Sequence, residues 1–172
     1  MRRLNLITLM LVGILSFGCA SANSKETKDV SQTEAKTNKD GKILPEHLTY
    51  ESFKEKVWDF EASPTEWVYK GTEPCIIDFY ADWCNPCKMV APIMEELAIN
   101  YEGKVKIYKI DTQTEQKLAS VFQITGIPAI LFVPATGQPM KQTGAMSKEY
   151  YEQVIKEFLL AAPQKGNAAS QK

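Results

Sequence analysis

Histidine is almost absent from this sequence, and so is any excess of charge of one sign. One histidine, His47, occurs among the 172 residues, which excludes a metal site built mainly from imidazole ligands. The formal net charge of −1 provides neither the basic surface that nucleic acid requires nor attraction to an acidic membrane. Four cysteines, only two of them close in sequence, do not make a disulfide framework. We expect a monomer with one globular domain, polar tails and no nucleic-acid partner.

The N-terminus carries an apolar run that is too short for a comfortable membrane span. Arg2 and Arg3 precede the apolar stretch 4–17, which is the order found in export signals. Gly18-Cys19 follows, and this segment resembles a bacterial lipoprotein signal in which Cys19 is the lipidated residue. The alternative is ordinary cleavage after the small residues 20–22, which would discard Cys19.

Composition divides the rest of the chain. Residues 1–22 are interpreted as the signal peptide, with Cys19 as the mature N-terminus, and residues 20–42 as a polar, flexible tether. Residues 43–162 form the expected globular domain, and residues 163–172 a disordered tail. This organisation predicts an extracytoplasmic, periplasmic domain that is anchored to a membrane through lipid.

The most informative motif is the pair Cys84 and Cys87. It follows the apolar run 75–81, which is typical of a buried strand, and precedes a helical pattern over 89–97. The N-terminus of a helix carries partial positive charge and free N–H groups, and both stabilise a thiolate. We therefore expect Cys84 at the exposed cap with a lowered pKa, and Cys87 one turn further in. Pro86 suits the first turn, where its missing N–H does no harm.

Two other interpretations of the cysteine pair are weaker. A zinc site uses about four ligands, and the sequence offers one such pair, so no metal is predicted. A purely structural disulfide is disfavoured because a pair at the start of an exposed helix is accessible. Cys75 is expected to be a small buried hydrophobic residue, and His47 a surface residue away from the pair.

The pair and its surroundings resemble thioredoxin over roughly residues 44–160. The shared features are the acid in the strand, the tryptophan before the first cysteine, a proline in the helix, the Ile-Pro loop before a strand and a late glycine; these are Asp78, Trp83, Pro92, Gly126-Ile127-Pro128 and Gly144. The resemblance implies an α/β thioredoxin-like fold, with a central mixed sheet flanked by helices on both faces. It implies no cofactor.

The resemblance also implies roles for these residues. Cys84 would attack a substrate disulfide, Cys87 would resolve the mixed disulfide, and Asp78 would accept the proton of Cys87. Trp83, Gly144 and a cis Ile127-Pro128 would bind substrate, although Trp83 could equally be a packing residue. Asn85 stands where thioredoxins typically have glycine, so Asn85 and Pro86 are expected to tune the pair.

One position departs from the family pattern. Thioredoxins usually carry a lysine on the neighbouring strand close to the buried acid. Here Ile107 is expected at that position, with Lys109 two residues further on and able to face the same way. The electrostatic surroundings of Asp78 are therefore left open by the sequence.

Hydrophobic spacing predicts the order of elements. Thr49 would cap a first helix that Ser63-Pro64 ends, and Ser147 would cap the last helix. Between them we expect a strand over 105–111, a helix over 113–122, and a hairpin of strands 129–133 and 139–143 around Gly137. The segment 61–74 either packs on the core or shapes the substrate face, and packing is favoured.

These observations predict an exported thiol–disulfide oxidoreductase that reduces protein disulfides. Its expected partners are disulfide-containing exported proteins and a thiol electron donor in the inner membrane. The alternatives are a periplasmic oxidant or isomerase, a non-catalytic adaptor of the same fold, and a metal- or haem-assembly factor that binds metal through the pair. Both cysteines and Asp78 are present, which disfavours the adaptor, and few histidine or methionine ligands lie near the pair.

Overall fold

A computed structural model describes residues 43–161 and contains five strands and four α-helices within that range. In chain order the elements are β1 (Glu46–His47), α1 (Tyr50–Lys56), β2 (Cys75–Tyr80), α2 (Asn85–Asn100), β3 (Lys106–Asp111), α3 (Gln116–Val121), β4 (Ala129–Val133), β5 (Met140–Thr143) and α4 (Lys148–Val154), followed by a π-helical turn at Ile155–Leu159. The signal peptide, Cys19, the tether and the tail predicted above lie outside the described residues. Within residues 43–161, no helix is long and apolar enough to cross a membrane.

The strands form one mixed sheet in the order β1-β3-β2-β4-β5. Strand β2 pairs in parallel with β3 and antiparallel with β4, and β1 adds to the other side of β3 in parallel. Strands β4 and β5 form the antiparallel hairpin predicted from the sequence. β2 is therefore central, which explains why its residues are almost all apolar and buried.

Helices cover both faces of the sheet, as the fold prediction required. On one face, Phe53 of α1 and Leu118 of α3 pack against Ile77 and Phe79 of β2. On the other face, a second cluster joins Ile76 to buried side chains of α2, α4 and the π-helical turn, including Met94, Tyr151 and Ile155. Alternation along β2 thus sends Asp78 to the α2 face, together with Ile76.

The structure corrects several boundaries. Thr49 caps α1, but the helix ends at Lys56 and not at Ser63-Pro64. Helix α3 begins at Gln116 and not at Gln113, because the N–H of Gln113 donates to the Asp111 carboxylate in a turn (2.9 Å). The edge strand β1 was not predicted at all.

The segment 61–74 packs on the α1 and α3 side. The Trp67 ring lies 5.0 Å from the Trp58 ring and 6.4 Å from Phe122, measured between ring centroids. Trp67 and Tyr69 also contact the core on this face. These contacts support the packing interpretation of the segment.

Candidate active site

The cysteine pair lies at the N-terminus of α2, where the sequence placed it. Cys84 is the N-cap residue and is joined to Cys87 by a disulfide, with 5.3 Å between their Cα atoms. The backbone N–H of Cys87 donates to Cys84 Sγ at 3.1 Å. When the pair is reduced, the same N–H group and the helix terminus are placed to stabilise negative charge on this sulfur.

Cys84 is less exposed than the sequence predicted. Only 3% of the residue is accessible, because Tyr80, Ala81 and Ile127 pack around the pair. The prediction of an exposed cap was therefore wrong for the side chain, although the N-cap position is correct. The neighbouring residues Asn85 and Pro86 are exposed instead.

An apolar surface adjoins the pair. The Trp83 side chain is 65% exposed, so it does not serve as a core packing residue. Ile127 contacts the cysteine cluster, and the Ile127-Pro128 peptide bond is cis, as the resemblance implied. Gly144 has φ +96°, and its N–H donates to the carbonyl of Pro128 at 2.8 Å. The positive φ explains why glycine suits this position. Ile127 therefore contacts the pair directly, whereas Gly144 is linked to it only through its hydrogen bond to Pro128.

Asp78 is buried in the central strand β2. It is 2% exposed, and its Oδ1 atom has no hydrogen-bond partner within residues 43–161. Burial raises its pKa to about 7, and the positive charge of Lys109 opposes that rise. A cavity adjoins Asp78 and also reaches Ala91 of α2, one helical turn beyond Cys87. A carboxyl group with this pKa can take up or release a proton near neutral pH.

The lysine beside Asp78 is Lys109. In the β2–β3 register Asp78 lies opposite Lys109, while Ile107 lies opposite Ile76. The expected departure at Ile107 was therefore wrong, because the register places Lys109 next to the acid. The Lys109 ammonium also lies 4.1 Å from the centre of the Tyr80 ring, a cation–π contact.

His47 is exposed, as predicted, and it also lines a cavity beside Asp78, a position that the sequence did not predict. The residues that line this cavity include neither cysteine of the pair. Pairing of the short strand β1 with β3 places His47 beside this cavity, and no pattern in the sequence predicted that strand.

Cys75 behaves as the predicted buried hydrophobic residue. It is fully buried at the start of β2 and makes no disulfide. Burial raises its pKa to about 12, so its thiol stays protonated and unreactive at neutral pH.

Comparisons with known proteins cover the whole of this site. A family model described as thioredoxin matches residues 47–157. Thioredoxin from Borreliella burgdorferi is 43% identical over 111 residues, which is 64% of this chain and 94% of that protein. Thioredoxin 1 of Nostoc sp. is 32% identical over 112 residues, 65% of this chain and 94% of that protein. The crystal structure of chloroplastic thioredoxin z superposes with a TM-score of 0.55 at 23% identity, covering 67% of this chain and 94% of that one.

Proposed function

Because this chain belongs to the thioredoxin family and is a thiol–disulfide oxidoreductase, we propose that it acts as a reductant of protein disulfides outside the cytoplasm. The observation that carries the chemistry is the N-cap position of Cys84, whose sulfur accepts the Cys87 N–H. That contact favours a thiolate at the first cysteine, which is the form that attacks a disulfide.

The reaction transfers two electrons from the cysteine pair to the substrate. The Cys84 thiolate attacks one sulfur of the substrate disulfide, forms a mixed disulfide and expels the other substrate sulfur as a thiolate. The Asp78 carboxylate then accepts the Cys87 proton, and the Cys87 thiolate attacks Cys84 Sγ. The Cys84–Cys87 disulfide forms, and the second substrate thiolate leaves. An external thiol donor must then reduce the pair.

The reducing direction is supported by the residues around the pair. Tyr80, Trp83, Pro86 and Lys88 give the site a thioredoxin-like character, and the relatives described above are named thioredoxins. Potentials in this superfamily run from about −270 mV for thioredoxin to about −120 mV for the strong oxidant DsbA.

We expect a potential near the thioredoxin value. In a glutathione buffer poised at about −200 mV, a pair at about −270 mV would be more than about 100-fold oxidised, since each tenfold change corresponds to about 30 mV. A pair near about −120 mV would be almost wholly reduced in the same buffer. Thiol alkylation followed by mass spectrometry reads the ratio, and a reduced pair would assign the protein to oxidants or isomerases instead.

Export and lipid anchoring are proposed from the N-terminal sequence. Two arginines, a short apolar stretch and Gly18-Cys19 have the order of a lipoprotein signal, and the polar residues 20–42 supply a tether. A tethered reductant would act on disulfide-containing exported proteins and would need electrons from a thiol donor in the inner membrane.

We expect Cys19 to be the lipidated N-terminus of the mature protein. Mass spectrometry of the N-terminal peptide from native membranes should show acyl chains on Cys19. More than one chain is expected, because a single acyl chain gives only marginal membrane binding. A Cys19→Ser variant should lose the acyl mass and leave the membrane fraction. An unmodified chain that begins at Asn23 would overturn the anchor while leaving the redox activity untouched.

A further inference from the structure

Three side chains form a row across the sheet on the α2 face. His47 of β1 lies opposite Lys109 of β3, and Lys109 lies opposite Asp78 of β2. Directly opposed residues of paired strands point to the same face, and neighbouring strands lie about 4.8 Å apart. His47 and Asp78 are therefore two strands apart on one face, with Lys109 between them.

A cavity connects the two ends of this row. Both His47 and Asp78 line it, together with Lys109, Glu95, Met94 and Ala91. The volume open to the centre of a water molecule is about 90 Å³. A single water needs roughly 10–15 Å³ by this measure, so several waters fit between the exposed imidazole and the buried carboxyl. The Oδ1 atom of Asp78, which has no partner among the described residues, is a polar group that such water would satisfy.

A ring contact also joins His47 to Tyr80, the last residue of β2. The His47 ring packs edge-on against Tyr80, with 6.0 Å between centroids, and Tyr80 packs against the cysteine cluster. The charged and titratable groups that face Asp78 come from every neighbouring element: His47 from β1, Lys109 from β3, Glu95 from α2, Tyr80 from β2 and Tyr151 from α4. Within this set, His47 is the histidine, the side-chain type whose unperturbed pKa lies closest to neutral pH.

We propose that His47 is the solvent-side partner of Asp78, and that the two side chains take up and release the proton of the resolving step as a coupled pair across the cavity. When Asp78 accepts the Cys87 proton, its negative charge disappears and His47 loses a proton to solvent more readily. When the proton leaves Asp78, the imidazolium stabilises the carboxylate. His47 touches no reacting atom, so it acts as a positioning residue through Asp78.

Histidine occurs once in this chain, which makes the test unusually direct. The imidazole carbon-bound protons give one set of NMR signals, and coupling makes their titration report both groups. In the full-length protein we expect these signals to show two inflections between about pH 5 and 8. Asp78→Asn should remove one inflection and move the remaining midpoint to lower pH by about 0.5 or more, because a nearby negative charge is lost. Glu102→Gln, two residues beyond the C-terminal end of α2, should change neither.

Kinetics supply the reciprocal measurement. In His47→Gln, the pH dependence of the resolving step should move to higher pH by a similar amount, because the carboxylate loses a cationic partner. The first attack by Cys84 should keep its rate. A single His47 inflection that Asp78→Asn leaves unmoved would overturn the proposal, as would an unshifted resolving-step profile in His47→Gln. The inference rests on the proposed exchange reaction. The NMR titration, however, detects the coupling of His47 with Asp78 whether the protein reduces or oxidises its substrates. The coupling and the proposed function can therefore fail separately.

Discussion

Replacing Cys84 by serine will abolish disulfide reduction. A serine hydroxyl is not ionised at neutral pH and cannot form a disulfide, so neither the first attack nor the mixed disulfide is available. The rate of insulin-disulfide reduction with dithiothreitol as electron source should fall to that of dithiothreitol alone. Retention of full activity in Cys84→Ser would end the mechanism proposed here.

Replacing Cys87 by serine should stop the reaction one step later than replacing Cys84. The first attack remains possible, so Cys84 should accumulate as a mixed disulfide that mass spectrometry detects as the added mass of one substrate chain. Turnover stops because no second thiol attacks Cys84 Sγ. Cys75→Ala is the matched control, since this third cysteine is buried and its thiol stays protonated. That variant should keep its activity and trap nothing.

Local spacing in the sequence was enough to place the core of the site. The apolar run before the pair predicted the central strand β2, and the pair itself predicted the start of α2. Both predictions succeeded because each depends only on residues that are close together in the sequence. The cis Ile127-Pro128 bond was implied by the family resemblance alone, since an X-Pro bond is cis in only about one case in twenty.

The rest of the site depends on contacts between residues far apart in sequence. Strand β1 is two residues long and has no periodicity to detect, so the position of His47 follows only from its pairing with β3. Ile107 and Lys109 are two residues apart on one strand, so both face the same side of the sheet. Only the β2–β3 register shows which of them lies opposite Asp78, and the sequence pattern does not give that register. The burial of Cys84 depends on Ile127, which arrives from the loop before β4.

Asp78→Asn will make the protein more stable at alkaline pH and slower at the resolving step. The native pKa of Asp78 is about 7 and its ordinary value is 3.8, so between these values the native state holds a proton that the unfolded state has lost. Stability therefore falls as pH rises through this window, and the neutral amide removes that cost. The variant should gain about 4 kcal/mol in free energy of unfolding at pH 8 and about 1.7 kcal/mol at pH 5, since each pKa unit corresponds to about 1.4 kcal/mol.

The same substitution separates the two chemical steps. Loss of the base that accepts the Cys87 proton should slow substrate release on the order of 100-fold, whereas attack by Cys84, which needs no proton transfer to Asp78, should change little. Urea denaturation of the oxidised protein at the two pH values measures the first effect, and single-turnover rapid quench measures the second. A stability gain that is equal at pH 5 and pH 8 would show that Asp78 is already ionised in the native state at pH 5, so that burial does not raise its pKa to about 7. An unchanged resolving rate would assign the proton of Cys87 to another acceptor, so the two measurements together decide whether the buried carboxyl is a base or only a buried acid.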